Sequence, residues 1–474
     1  MIDLKILFVS YEVYPLAKVG GLADVAGSLP KALKGLGLDI DVLMPFHGSI
    51  SEKGVENTGG IVCTESMKER YEFGVYLTKL PSSDVDVYLL KNDVLMDSRE
   101  VYGSSNLGLQ AMAFSDAAAA FAAGRGYDIV HLNDWHTGLM AVYLKERKAY
   151  PGTIISIHNL AYQGVYPEEY FELSGIAEEN RDAVCSGESL NCLKAGLVFA
   201  DMITTVSPTY AKEIQTQEYG AGLDGVLEER SDVLAGILNG IDFGEYDPAT
   251  DKRLSVNFDS NTIDKKIENK RALQREVGLP ESEDAVLGLI SRLVDQKGLD
   301  LLAEIKDELM KLPVQLVILG TGEKKYEAMF KALQQEFPDK MAAMLTFNLD
   351  LAQKIYGGAD MFLMPSRYEP CGLGQMFAMR YGTIPIVRYT GGLADTVQEF
   401  DLSSLEGNGF GFNDYSSAGL LESLKRALEI YKDGESWRRL VLNAMSGDFS
   451  WGASARNYLA VYEKTLEVKK RCLN

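Results

Sequence analysis

Short apolar runs, each stopped by a polar or glycine-rich loop and followed by a segment of helical spacing, recur along this chain and leave it few folds to adopt. Leu4 to Val9, Ile40 to Met44, Ile129 to Leu132, Ile154 to Ile157, Met202 to Val206, Val286 to Ile290, Val314 to Leu319, Met361 to Met364 and Ile384 to Val387 are such runs. Runs this short, without polar alternation, are read as parallel strands buried on both faces, and the periodic segments after them as crossover helices. The fold class that follows is α/β, doubly wound. A chain of 474 residues exceeds what one core sustains. The polar, irregular stretch from Phe243 to Thr262 has few apolar positions to bury and is the best linker candidate. Two Rossmann-like domains are expected, 1–242 and 243–450.

Bulk composition removes several partners. The formal net charge of −21 opposes nucleic acid and anionic membrane surfaces, which both need a positive field. No apolar run approaches the ~20 residues of a membrane span, and the N-terminus enters a strand without a basic leader. Cys63, Cys185, Cys192, Cys371 and Cys472 are odd in number and lack metal-ligand spacing, so reduced thiols, no metal and a cytoplasmic location are expected.

In an open α/β sheet, ligands bind where strands end and helices begin, because unpaired amides collect there. Lys18, followed by Gly20 and Gly21 at a helix start, is a plausible phosphate site, combining a point charge with approachable amides. Asp134 and His136 follow one strand, His158 and Asn159 the next. Each histidine alone is more often a structural hydrogen-bonder; two beside an aspartate on adjacent strand ends tip the balance towards a site. Asn239 sits in a tight turn at another strand end. Arg292 and Lys297 share one strand-end loop and can both reach an anion, although a pair of solvated surface charges is the plainer alternative. Glu369 follows the Met361 to Met364 strand, before a helix opening at Gly372. A carboxylate beside a presumed phosphate site is repelled unless it faces sugar hydroxyls, which donate to it. Thr390-Gly391-Gly392 brings further amides to the same edge. Gly320-Thr321-Gly322 lacks the third glycine of a dinucleotide fingerprint, which disfavours a dehydrogenase.

Together the segments KVGGLADV, HLNDWHTGL, IHNLAYQG, GILNGID, SRLVDQKGLDLL, PSRYEPCGLGQ and TGGLADTV resemble the bacterial and plastid glycogen and starch synthases, from about Leu4 to the C-terminal helix. The resemblance implies the GT-B architecture, two Rossmann-like domains facing across a cleft, with the helix 451–474 completing the N-terminal, acceptor-side domain. It implies retaining transfer of glucose from ADP-glucose to the non-reducing 4-OH of an α-1,4-glucan, without cofactor or metal. Front-face attack, with the leaving phosphate taking the acceptor proton, then requires no carboxylate pair. Lys18, Gly20 and Gly21 would contact donor phosphates, and Arg292 and Lys297 would stabilise the leaving diphosphate. Glu369 and the amides of Cys371, Gly372 and Leu373 would hold glucose hydroxyls. His158 and Asp134 would line the sugar and acceptor side. Asp24, Asn159, Asn239, Phe347, Thr390 and Gly391 complete the implied substrate contacts.

Phe347 stands where many relatives carry Tyr, and Gly374 where they carry Thr, which bears on the base preference of the donor. The alternatives are a synthase preferring UDP-glucose, or a silent nucleotide-sugar or glucan-binding protein on the same scaffold. A silent copy has no need to keep Lys18, Asp134, His158, Arg292, Lys297 and Glu369 together.

Overall fold

A computed structural model describes residues 4–96, 100–149 and 151–473; the Cys472 side chain lies outside what is described. The chain divides into two compact units, one running to Gly240 and taking in the helix Trp451–Leu473, the other Ile241–Ser450.

The first unit is built on a nine-stranded sheet. In spatial order its strands are Leu234–Gly236, Met202–Thr205, Gly152–Ile157, Ile129–Asn133, Lys5–Val9, Asp39–Pro45, Asp86–Lys91, Glu72–Lys79 and Glu56–Cys63. The first seven run parallel and the last two turn back as an antiparallel edge. The winding reverses between Lys5–Val9 and Ile129–Asn133, where Val9 faces Leu132, so the loops after these two strands open at the switch point. Their side chains are buried on both faces, which is why they read as unbroken apolar runs.

The helix Trp451–Leu473 belongs to this sheet through its aromatic stripe. Tyr458 and Tyr462 are fully buried, and the Tyr462 hydroxyl lies 2.9 Å from His131 Nδ1 in the central strand. Ser454 Oγ donates to the Leu238 carbonyl at 2.7 Å.

In the second unit, six parallel strands lie in the order Met341–Met344, Val314–Leu319, Ala285–Ile290, Met361–Met364, Ile384–Arg388 and Phe410–Phe412. Here the winding reverses between Ala285–Ile290 and Met361–Met364. The loops carrying Arg292 and Lys297, and carrying Glu369, therefore leave neighbouring strands at a second switch point.

Three expectations are corrected. The segment 243–262 is no free linker: it packs on the second unit, with Phe258 2% and Leu254 8% exposed. Tyr246 stacks on Phe377 at 3.9 Å, and the Tyr381 hydroxyl donates to Asp251 at 2.6 Å. A few aromatic anchors and charged hydrogen bonds hold it where a periodic apolar stripe would otherwise be needed. The apolar spacing after Lys297 reads in the sequence as one helix, Leu299 to Leu309, but the structure breaks it at Ile305 into Leu299–Glu304 and Lys306–Leu309, which turns both Ile305 and Leu309 inward. The helix after Glu369 starts at Gly374 instead of Gly372, because Gly372 has φ +69°, left-handed and incompatible with a helix. The edge strand Glu56–Cys63 has no counterpart in the apolar pattern, since most of it is exposed.

Candidate active site

Each switch point gathers its own polar set. In the first unit, Glu12 follows the strand Lys5–Val9 and is 2% exposed. Its carboxylate accepts from the Val19 and Gly20 amides at 2.5 and 2.9 Å and from the Tyr102 hydroxyl. The Gly20 amide is therefore taken by the protein itself. Neither Gly20 nor Gly21 is needed for packing: a Cβ at either would meet nothing within 4 Å. That open surface above two glycines suits the close approach of a ligand backbone or phosphate. Lys18 beside them pairs with Asp24 at 2.6 Å and lies over the Tyr14 ring; Lys18 is exposed and Asp24 half-buried, so the pair is weak and exchangeable.

The neighbouring strand Ile129–Asn133 is followed at once by Asp134, whose φ of +55° is unusual for a residue with a side chain. The strain is held by its own amide, bonded to the Ser156 carbonyl at 2.9 Å, and by its Oδ1, which accepts the His158 amide at 2.8 Å. Such strain clusters at functional sites. Burial raises the Asp134 carboxyl to about 7, against the amide hydrogen bonds of His158 and Asn159 that lower it. The His158 ring is lowered to about 4 by burial, so it is neutral near pH 7. Its Nε2 lies 2.9 Å from Asn133 Oδ1, while Asn133 Nδ2 donates to the Val9 carbonyl. An acceptor at Nε2 places the ring proton there and leaves Nδ1 able to accept a hydrogen bond, for instance from a sugar hydroxyl.

The other histidines serve the fold. His136 is buried in a stack with Trp135, Tyr11 and Tyr102, and His131 is spent on Tyr462 and Ser156. His47 bonds the Tyr11 carbonyl. Asn239, also in this unit, is 7% exposed with its Oδ1 lacking a partner among the described residues.

Burial lowers all four rings, His131 and His136 to about 3. The unfolded chain therefore binds protons that the folded one refuses, and stability is lost as pH falls below about 6.5. At pH 5 His131, His136 and His158 each withdraw about 2 kcal/mol, and His47 acts in the same direction. Asp134, raised when folded, works the other way and returns at most about 3 kcal/mol between pH 7.5 and 5. Urea unfolding is expected to show a midpoint clearly lower at pH 5 than at 7.5; an unchanged midpoint would mean the rings protonate in the folded state.

In the second unit the two switch-point loops are fastened together. The Arg367 amide donates to the Gln296 carbonyl at 2.8 Å, and Gln296 Nε2 to the Tyr368 carbonyl at 3.2 Å. Gly298, at φ +69°, lets the chain pass so close that a Cβ there would stand 1.9 Å from the Pro365 carbonyl oxygen. Lys297 is thereby aimed at Glu369, Nζ to Oε2 at 2.7 Å, and Ser366 Oγ donates to the same oxygen at 3.0 Å. Arg292, on the same loop as Lys297, is exposed and has no partner among the described residues. The turn Thr390-Gly391-Gly392 packs on the Glu369 loop, with the Gly392 amide donating to the Glu369 carbonyl at 3.1 Å. A Cβ on Gly391 would stand 2.0 Å from that carbonyl oxygen. Phe347 is 81% exposed on the loop after Met341–Met344. The site residues missed in the sequence are Glu12, Tyr102, Gln296, Ser366 and Gln375. Glu12 could have been found as a carboxylate three residues past a buried strand, whereas Tyr102 carries no local signal.

Among the described residues, no group of His, Cys, Asp and Glu is arranged to hold a metal ion, and no helix is long and apolar enough to cross a membrane.

The family model described as "Starch synthase catalytic domain" matches residues 5–229, and that described as "Glycosyl transferases group 1" matches 270–444. A glycogen synthase of Kosmotoga olearia is 55% identical, covering 99% of this chain and 100% of its own length. One of Thermosipho africanus is 50% identical, covering 98% and 100%. The catalytic domain of starch synthase IV from Arabidopsis thaliana, bound to ADP and acarbose, is similar with a TM-score of 0.88 and 33% identity, covering 98% of this chain and 100% of that one. Sucrose-phosphate synthase from Thermosynechococcus elongatus matches with a TM-score of 0.62 at 18% identity over 98% and 100%, a likeness of fold alone.

Proposed function

The chain belongs to the glycogen and starch synthase family of GT-B glycosyltransferases, and from this we propose that it transfers glucose, with retention, from ADP-glucose to the non-reducing 4-OH of an α-1,4-glucan. The observation that carries the reading is Lys297 beside Glu369, with the Arg292 side chain on the same loop and unpaired among the described residues. Cations suit a leaving diphosphate, and a carboxylate suits the hydroxyls of the sugar attached to it.

In this reading Arg292 and Lys297 take up charge on the diphosphate as the bond from glucose C1 to the phosphate oxygen breaks. Lys18 and the Gly20-Gly21 turn are assigned to donor phosphate oxygens. Glu369 accepts from glucose hydroxyls, and the amides of Gly372 and Leu373 donate to them. His158, neutral, offers Nδ1 as an acceptor, and Asp134 fixes the His158 main chain through its amide. As C1 bonds to the acceptor oxygen, the acceptor proton passes to the departing ADP phosphate. Phe347 stacks on the base. Lacking a hydroxyl, Phe347 also favours a second reading, in which UDP-glucose is accepted.

A donor competition, ADP-glucose against UDP-glucose with glycogen as acceptor, tests the proposal. The expected result is a kcat/KM at least about 10-fold higher for ADP-glucose, a preference of ~1.4 kcal/mol. A UDP-glucose preference would overturn the donor, and binding without transfer from either would leave a silent binder.

A further inference from the structure

We infer that Gln375 is a positioning residue, whose side-chain amide holds the Cys371 and Gly372 carbonyls inward and so turns the Gly372 and Leu373 N–H groups outward, towards the oxygens of the transferred sugar. The inference rests on the glucosyl-transfer reading for the identity of that sugar, and on the geometry for everything else.

Gln375 is fully buried. Its Nε2 lies 3.2 Å from the Cys371 carbonyl oxygen, 3.0 Å from that of Gly372 and 3.1 Å from Thr396 Oγ1, so two hydrogens are shared among three acceptors. Thr396 Oγ1 gives its own hydrogen to the Gly392 carbonyl at 2.6 Å, which leaves its lone pairs for Gln375. The amide is thus clamped between the Glu369 loop and the 390–392 turn.

The consequence follows from the peptide plane. In a trans peptide the C=O of one residue and the N–H of the next point in opposite directions. Drawing the Cys371 and Gly372 carbonyls towards Gln375 therefore points the Gly372 and Leu373 N–H groups away from it. Both residues are half-exposed, and among the described residues neither N–H has a hydrogen-bond partner. The turn needs a left-handed residue, which Gly372 supplies at φ +69°. A Cβ there would also stand 2.6 Å from Gln375 Oε1.

Packing alone does not call for glutamine. Its Oε1 is buried without a partner among the described residues, a cost that methionine of the same length would avoid. What glutamine adds is a donor that can reach two successive carbonyls from beneath the turn.

The test uses the full chain with Gln375→Met, which keeps length and loses the donor, and Gln375→Glu, which replaces the donor by a carboxylate oxygen. Calorimetry with ADP and with ADP-glucose, without acceptor, isolates the sugar's share of affinity, and transfer to glycogen gives kcat. For Gln375→Met, the expected ADP Kd stays within about 2-fold of wild type, the ratio of ADP-glucose to ADP Kd rises about 10-fold, and kcat falls about 10²-fold. For Gln375→Glu, kcat is expected to recover as pH falls and the carboxyl regains a hydrogen to donate, a pH response that wild type and Gln375→Met lack. Should Gln375→Met not fold, the Glu variant carries the same comparison. An unchanged Kd ratio with unchanged kcat would overturn the inference, as would equal weakening of ADP and ADP-glucose, the mark of a merely structural residue. A Kd-ratio shift in the variants, with no glucose transfer by the wild type, would sink the transfer reading and keep the inference; a wild type that binds neither compound would overturn both.

Discussion

Arg292→Ala is expected to lower kcat by about 10²- to 10³-fold while leaving the melting temperature unchanged. The catalytic loss is that of a charged donor acting mainly on the leaving group, about 2.7 to 4 kcal/mol. The unchanged stability follows because the side chain is exposed and unpaired among the described residues. Lys297→Ala is expected to match the fall in kcat and also to lower the melting temperature. Its removal leaves Glu369, 7% exposed, with Ser366 as the one remaining partner of Oε2 among the described residues. A carboxylate so buried loses more from a missing cation than an exposed one does. Steady-state kinetics and a thermal melt on both variants check this. Turnover near wild type in either would remove that residue from the diphosphate.

The second large effect belongs to His158. His158→Ala is expected to remove most turnover, about 10²-fold or more, while ADP affinity stays within a few-fold. The ring is held by its own unit, Nε2 on Asn133 Oδ1, so its loss disturbs no group assigned to the nucleotide. The main-chain amide that Asp134 accepts survives the substitution, which keeps the strand end in place. Calorimetry with ADP and a glucose-transfer assay on one preparation decide the matter. Equal loss of binding and turnover would give the ring a role in shaping the whole site. Intact turnover would reduce it to a partner for Asn133.

Much of the fold was legible because parallel strands are buried on both faces. Ile129–Asn133 and Val314–Leu319 announce themselves as apolar runs. Glu56–Cys63 does not, since an exposed antiparallel edge has no such pattern. The strap 243–262 reads as a linker for a related reason: polarity in sequence says nothing about hydrogen bonds made to residues as distant as Tyr381.

At the site, loops adjacent to strand ends could be read because their chemistry is local: a lysine before two glycines, or Arg292 and Lys297 on one loop. The supports could not. Tyr102 reaches Glu12, Ser366 and Lys297 converge on Glu369, and Gln375 acts on residues behind it in the chain, through contacts that exist only once the loops are folded. The pairing of Lys297 with Glu369 turns two candidates of opposite charge, awkward neighbours in a phosphate site, into one device.

The helix that begins at Trp451 also imposes an order on synthesis. The face of His131 that it covers belongs to a strand translated more than three hundred residues earlier, with the whole second unit in between. A ribosome releases the second unit before it releases Tyr462. The central sheet of the first unit must therefore wait, partly uncovered, while its neighbour folds. Through that interval the apolar surface later covered by Tyr458 and Tyr462 stands open, the kind of surface a chaperone shields.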